Sequence, residues 1–258
     1  MLFCLDIGNA HIFAGLFEDE NLTFNFRCAS NQDCTSDELG IFLKSYLRDV
    51  GVELHQITHI ALCSVVPNID YSVRAMIHKF FSKDPFILQM GVKTGLQIKY
   101  KNPMEVGADR IANAIAAAHL FPKKDIIIIN LDAVTTFEVI SDKGAFLGGA
   151  MIPGLQMQMN ALNEHTASLP RVRIVKPLCA MGQSTIANIQ SGLFYGHKGA
   201  IQEIIKSIKS EMSDNTAPII IGTGVFASLY EQENIFDVII PELVLQGLRI
   251  AHKKFISV

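Results

Sequence analysis

The strongest constraint on the fold of this chain is a strand-rich opening that occurs twice. Leu2 to Ile7, Ala10 to Phe17 and Leu22 to Phe26 alternate as three short strands, and the acidic run Glu18-Asp19-Glu20-Asn21 turns the chain between the last two. The order begins again with Ile126 to Asn130, Thr135 to Ile140, the turn Ser141-Asp142-Lys143-Gly144 and Ala145 to Leu147. Without gaps the copies superpose at an offset of 124, so that Asp6 faces Asn130, Gly8 faces Asp132, Ile12 faces Thr136 and Leu16 faces Ile140. After the first meander, Thr35 or Ser36 can cap a helix whose face is Leu39, Phe42, Leu43, Tyr46, Leu47 and Val50. A buried strand from His59 to Val66 ends at Pro67, and a helix carrying Val73, Met76, Ile77 and Phe80 follows. In the second half, Pro218 to Gly222 reads as a short buried strand running into Gly222-Thr223-Gly224. The pattern predicts an α/β protein of two similar domains, 1–118 and 119–258, each opening with a β-meander. A ligand cleft is expected between them, with the alanine-rich helix Arg110 to Ala118 at the junction.

Composition narrows the class. At 258 residues, 49% of them hydrophobic and 18% charged, the chain can bury a real core. A net charge of −3 and the lack of any long basic run argue against nucleic acid as a partner. The apolar stretches, such as Ile126 to Ile129, are strand-sized rather than membrane-sized. Met1 to Leu5 runs straight into Asp6 without a basic leader, so a cytoplasmic location is expected. The five cysteines lack a Cys-x-x-Cys pair and read as reduced core thiols, and the eight histidines lack ligand spacing.

Asp6-Ile7-Gly8-Asn9 carries the first chemistry. It places a carboxylate and a glycine at a strand end, where backbone N–H groups can approach phosphate while the carboxylate holds hydrated magnesium. Taken alone, the same four residues also suit a plain hairpin. Further motifs follow in order: Tyr100-x-x-Pro103 leading to Gly107-Ala108-Asp109-Arg110, Gly148-Gly149-Ala150-x-x-Pro153-Gly154-Leu155, Leu169-Pro170, Ser184-Thr185 and Ile189-Gln190-Ser191-Gly192. With these, nearly the whole chain resembles the type III pantothenate kinases of the acetate and sugar kinase/Hsp70/actin superfamily.

The resemblance implies two ribonuclease H-like (actin-like ATPase) domains and transfer of the γ-phosphoryl group of ATP to pantothenate, the first step of coenzyme A synthesis. It implies that Asp109 accepts the hydroxyl proton, and that Tyr100, Gly107, Ala108, Asp109 and Arg110 hold pantothenate. It also implies a homodimer in which Thr185 reaches the partner's substrate. Asp6, Ile7, Gly8, Asn9, Ala10, His11, Ile12, Phe13, Ala133, Gly222, Thr223 and Gly224 would take ATP, or another nucleoside triphosphate, with magnesium. Asn130 stands at the position of a monovalent cation, K+ or NH4+. Bland roles exist beside these: Asp109 as a helix N-terminal acid, Tyr100 as an amphipathic strand residue, Thr185 as a helix cap, and Met151, Met157 and Met159 as packing for a dimer or domain surface.

Several positions depart from the family pattern, all on the nucleotide side. Where the family carries Asp-Phe-Gly-Thr-Ala-Thr-Thr-Phe, this chain reads Asn130-Leu131-Asp132-Ala133-Val134-Thr135-Thr136-Phe137. Asn130 removes a carboxylate, Ala133 a hydroxyl, and Asp132 adds a side chain and a negative charge where a glycine would admit phosphate. Ala10 and Val225 depart as well. These changes predict weakened ATP binding and a cation that is either held by the neutral Asn130 amide or lost, and they leave open two other readings. One is a catalytically impaired homologue acting as a metabolite-binding dimeric regulator; the other is a kinase acting on a different small hydroxy acid.

Overall fold

The computed structural model describes residues 1–31, 33–212 and 217–256; residues 213–216 and 257–258 of the expected second domain lie outside the described residues. The chain forms two compact units. Unit 1 comprises Met1–Leu96, Lys101–Ala116 and Leu243–Val258, and unit 2 comprises Gln97–Tyr100 and Ala117–Glu242.

In unit 1, β1 (Leu2–Ile7), β2 (His11–Glu18) and β3 (Asn21–Ala29) form the antiparallel meander. The six interior residues of β2 are all buried, so this strand is covered on both faces. Helix α1 (Ser36–Asp49) starts at a capping box in which Thr35 and Glu38 satisfy each other's backbone N–H, and it buries Leu39, Leu43 and Leu47. Phe42 and Tyr46 instead lie against Phe26. The chain then adds β4 (His59–Ser64) parallel to β1, helix α2 (Pro67–Met76) with Pro67 in its first turn, and the short β5 (Phe86–Ile87) parallel to β4. The sheet order is β3-β2-β1-β4-β5. Helix α3 (Ala108–Leu120) carries the chain from unit 1 into unit 2 between Ala116 and Ala117.

Unit 2 repeats the plan. An edge strand β6 (Gln97–Ile98) precedes the meander of β7 (Ile126–Leu131), β8 (Val134–Ile140) and β9 (Ala145–Pro153). Helices α4 (Leu155–Glu164), α5 (Thr185–Ser191) and α6 (His197–Glu211) lead to β10 (Ile219–Thr223) and β11 (Val238–Ile239). Its sheet order is β11-β10-β7-β8-β9-β6. From the third meander strand inward, both sheets therefore run 3-2-1-4-5, two ribonuclease H-like domains as expected. The final helix, α7 (Leu243–Ile256), packs on β1, β2 and β4 of unit 1 rather than on the unit that it follows in sequence.

The repeat holds with one correction. The offset of 124 maps β1 onto β7 residue for residue, but Asp6 pairs with Phe13 while Asn130 pairs with Thr136, so the second turn is one residue shorter. Ile12 and Leu16 thus correspond to Thr135 and Val139, not to Thr136 and Ile140. Met159 is also not a surface residue: it is 1% exposed and sits in the unit 2 core with Leu155, Phe137 and Phe194. Among the cysteines, Cys4 and Cys63 are buried, whereas Cys179 is exposed rather than a core thiol.

Candidate active site

The turn after β1 in unit 1 lies at the carboxyl ends of the parallel strands β1 and β4, where open α/β sheets place their ligands. Gly8 donates its N–H to the His11 carbonyl at 3.0 Å, and a Cβ on Gly8 would lie 3.0 Å from that same oxygen. Asn9, Ala10 and His11 are exposed at the tip. Ile7, Ile12 and Phe13 belong to the core, with the Arg27 guanidinium 3.5 Å over the Phe13 ring, so only their backbone is available to a nucleotide.

Asp6 sits directly across the sheet from Cys63 on β4, and the Cys63 thiol donates to Asp6 Oδ1 at 3.3 Å. Asp109 approaches the same thiol. Burial pushes the Cys63 thiol well above its usual range, and the negative charges of Asp6 and then Asp109 push it further, so it remains a protonated donor. The two carboxylates singled out from distant motifs thus flank one side chain. Asp109 is in the first turn of α3, where the helix dipole favours its charge. Its Oδ1 lies 2.5 Å from where a Cβ on Gly107 would stand, so a side chain there would make the carboxylate shift. Arg110 is buried at 4% exposure. Tyr100 belongs to unit 2, half-buried, its ring edge-on to Phe146 at 6.1 Å.

In unit 2, the second turn is packed by glycines. A Cβ on Gly154 would stand 2.2 Å from the Asp132 carbonyl oxygen and 2.4 Å from that of Ala133, and the Gly154 N–H donates to the latter at 3.1 Å. Gly224, at φ +89°, brings its backbone against Asn130, whose Oδ1 would be 2.4 Å from an added Cβ. Gly222 faces the Phe236 ring at 2.9 Å on the same measure. Asn130 is flanked in register by Thr223 on β10 and Thr136 on β8, both buried, and Thr136 Oγ1 has no hydrogen-bond partner among the described residues. This row supplies neutral oxygens only and lacks the carboxylate of the cation position that the resemblance implies. The Asp6 turn does fit magnesium in its donor, since a carboxylate at the carboxyl end of β1 stands before a turn whose tip residues are exposed.

Thr185 is exposed, and its neighbour Ser184 is the residue that caps α5, accepting from the Ala187 N–H at 3.2 Å. The expected capping duty is therefore not Thr185's. Met151, Met157, Leu178, Met181 and Ile186 of the same unit are exposed too. Among the described residues, no cluster of three or more His, Cys, Asp or Glu side chains could hold a metal, and no helix is long and apolar enough to cross a membrane. Sequence reasoning missed Cys63, read only as a core thiol, and Glu138, a fully buried carboxylate on β8. The apolar alternation around both gives no sign of them.

A sheet plan repeated in both units, with a carboxylate and a glycine turn closing the first strand, defines the class: actin-like ATPase and sugar kinase folds. Solved structures agree. A Baf family transcriptional activator from Campylobacter jejuni superposes with a TM-score of 0.60 at 16% identity, covering 99% of this chain and 100% of that one. A 2-dehydro-3-deoxygalactonokinase protein from Sinorhizobium meliloti gives 0.59 at 12% identity, covering 100% and 98%. At such identities these matches speak for the fold alone. The sequence matches go further. The family model described as type III pantothenate kinase matches residues 2–207. "Type III pantothenate kinase" of Legionella pneumophila (strain Corby) is 52% identical over 251 residues, covering 97% of this chain and 98% of that protein. "Type III pantothenate kinase 1" of Francisella tularensis subsp. holarctica (strain OSU18) is 45% identical over 250 residues, with the same coverage. The chain belongs to the type III pantothenate kinase family.

Proposed function

We infer that the protein phosphorylates pantothenate to 4'-phosphopantothenate with ATP, the first step of coenzyme A biosynthesis. Membership of the family over nearly the whole chain carries this reading. The approach of Asp6 and Asp109 to one buried thiol supports the residue roles. Asp109 takes the proton of the substrate's primary hydroxyl as that oxygen bonds the γ-phosphorus and the bond to the ADP oxygen breaks. The Cys63 thiol orients Asp6, whose carboxylate would hold magnesium, and the ion when bound neutralises the triphosphate. The planar fork of Arg110 matches the substrate carboxylate with two parallel N–H donors, and Tyr100, Gly107 and Ala108 complete that side. Asn9, Ala10 and His11 at one turn, and Ala133 with Gly222-Thr223-Gly224 at the other, take the nucleotide.

The working form in this reading is a cytoplasmic homodimer, with Thr185 contributed to the partner's substrate. The exposed apolar side chains of Met151, Met157, Leu178, Met181 and Ile186 in the same unit support a second copy as cover. No monovalent cation is assigned to Asn130. The activator name of the Campylobacter jejuni structure comes with 16% identity and does not favour a regulatory reading.

A coupled assay of ADP release tests the proposal. Wild type turns over with pantothenate, and Asp109→Asn lowers kcat by about 10²-fold or more, the usual yield of a positioned base. Wild type that binds pantothenate by calorimetry yet shows no turnover with any nucleotide or cation would overturn it.

A further inference from the structure

Unit 2 holds a chain of polar side chains, half-buried at Gln158 and buried at His197 and Thr135, for which the transfer chemistry has no direct use. Gln158 Nε2 lies 2.7 Å from the Pro153 carbonyl oxygen and 2.8 Å from His197 Nδ1, and His197 Nε2 lies 3.0 Å from Thr135 Oγ1. Thr135 and His197 are each 1% exposed. The directions of these bonds can be deduced. A carbonyl oxygen only accepts, so the amide nitrogen of Gln158, not its oxygen, must face Pro153, and its second hydrogen goes to His197 Nδ1. Burial holds His197 down at about 4, so at neutral pH the ring has one proton, and that proton must be on Nε2, donated to Thr135. Thr135 keeps its own hydroxyl hydrogen for another acceptor.

The ends of this chain bracket one feature. Thr135 pairs with Leu131 across the second turn, closing it at the exit. Pro153 pairs with Val134, and the next residue, Gly154, packs on the carbonyl oxygens of Asp132 and Ala133. The surroundings are apolar or aromatic: Phe194 stacks on Tyr230 at 5.0 Å, and the His197 ring is 6.3 Å from Tyr230. In such a core, a satisfied polar network adds little stability over apolar side chains of equal volume. What it adds is a single conformation.

We propose that Gln158, His197 and Thr135 form a positioning relay that holds the turn Asp132-Ala133-Val134 in the one conformation that receives the nucleotide phosphates. The proposal rests on reading that turn as part of the ATP site. None of the three side chains is a catalytic residue; they act through the backbone of the turn. The relay also offers a reason why a turn that lacks the family's glycine and threonine can still work, since its shape is fixed from behind rather than by its own side chains.

The test uses the full chain with Thr135→Val, Thr135→Ser and His197→Phe, and measures ATP affinity by calorimetry together with both KM values and kcat. Thr135→Val and His197→Phe are expected to weaken ATP by about 3- to 10-fold, the loss of one net hydrogen bond, with pantothenate KM within about twofold. Thr135→Ser, which keeps the hydroxyl, recovers most of the loss. The double variant is no worse than either single, because the groups act as a unit. Nitrogen-15 NMR of wild type should show His197 neutral with the proton on Nε2. Unchanged ATP affinity in folded His197→Phe, equal weakening of both substrates, or a proton on Nδ1 overturns the relay alone. Wild type that does not bind ATP overturns the reading of the turn, and the relay's role with it.

Discussion

Burial of His197 in its neutral form makes the fold sensitive to acid by an amount that can be worked out. Its pKa is about 4 when folded, against an ordinary 6.5. Between those values the unfolded chain binds a proton that the folded chain refuses, so stability falls as pH falls through this window and is level above it. At about 1.36 kcal/mol per pKa unit, lowering the pH from roughly 7.5 to roughly 5 removes about 2 kcal/mol through this one ring. The assay is urea unfolding of wild type and His197→Phe at those two pH values. The variant has its own baseline stability, so the quantity compared is the acid-induced loss within each protein. His252, held down by burial and then by His59, titrates in both proteins and cancels. Wild type should lose about 2 kcal/mol more than the variant. Equal losses would refute a neutral, buried His197.

Three further outcomes are expected. Asn130→Asp with Asp132→Gly and Ala133→Thr restores the carboxylate, the open backbone and the hydroxyl, and should tighten ATP binding in calorimetry; unchanged affinity would mean that these positions do not face the nucleotide. Adding a carboxylate to the Thr223–Asn130–Thr136 row with Asn130→Asp should make turnover depend more steeply on potassium against sodium than in wild type; an unchanged ratio would mean that the row does not face a cation. Cys179 should react with a thiol reagent at pH 8 in the native protein while Cys4 and Cys63 do not, as mass spectrometry of labelled peptides would read.

Much of the framework is legible along the chain because it depends on near neighbours. The Thr35 and Glu38 capping box, the buried face of Leu39, Leu43 and Leu47, and the match of Ile126–Leu131 to Leu2–Ile7 all follow from spacing. The one-residue slip after the second turn does not, because it shows only in which residues pair across the strands. The return of α7 to unit 1 is hidden for a similar reason: an apolar helix face does not say which sheet it covers. At the site, Asp6 and Asp109 were found through their motifs. That they flank Cys63 depends on β1 pairing with β4, 57 residues away in the chain. His197 has no signal at all in the sequence. A histidine that opens a helix of mixed residues looks the same whether it faces water or a core.

The shorter second turn has a consequence that depends on the backbone rather than on side chains. Between the paired residues Ile7 and Ile12 lie four residues, and between Leu131 and Thr135 only three. Each peptide N–H in such a loop is a fixed partial positive charge, but the Gly8 N–H already donates to the His11 carbonyl, so the extra residue of the first loop adds span rather than a further donor for an anion. The two loops thus differ in reach, and a loop transplanted from one unit to the other would arrive one residue too long or too short for the strand pair that it must close.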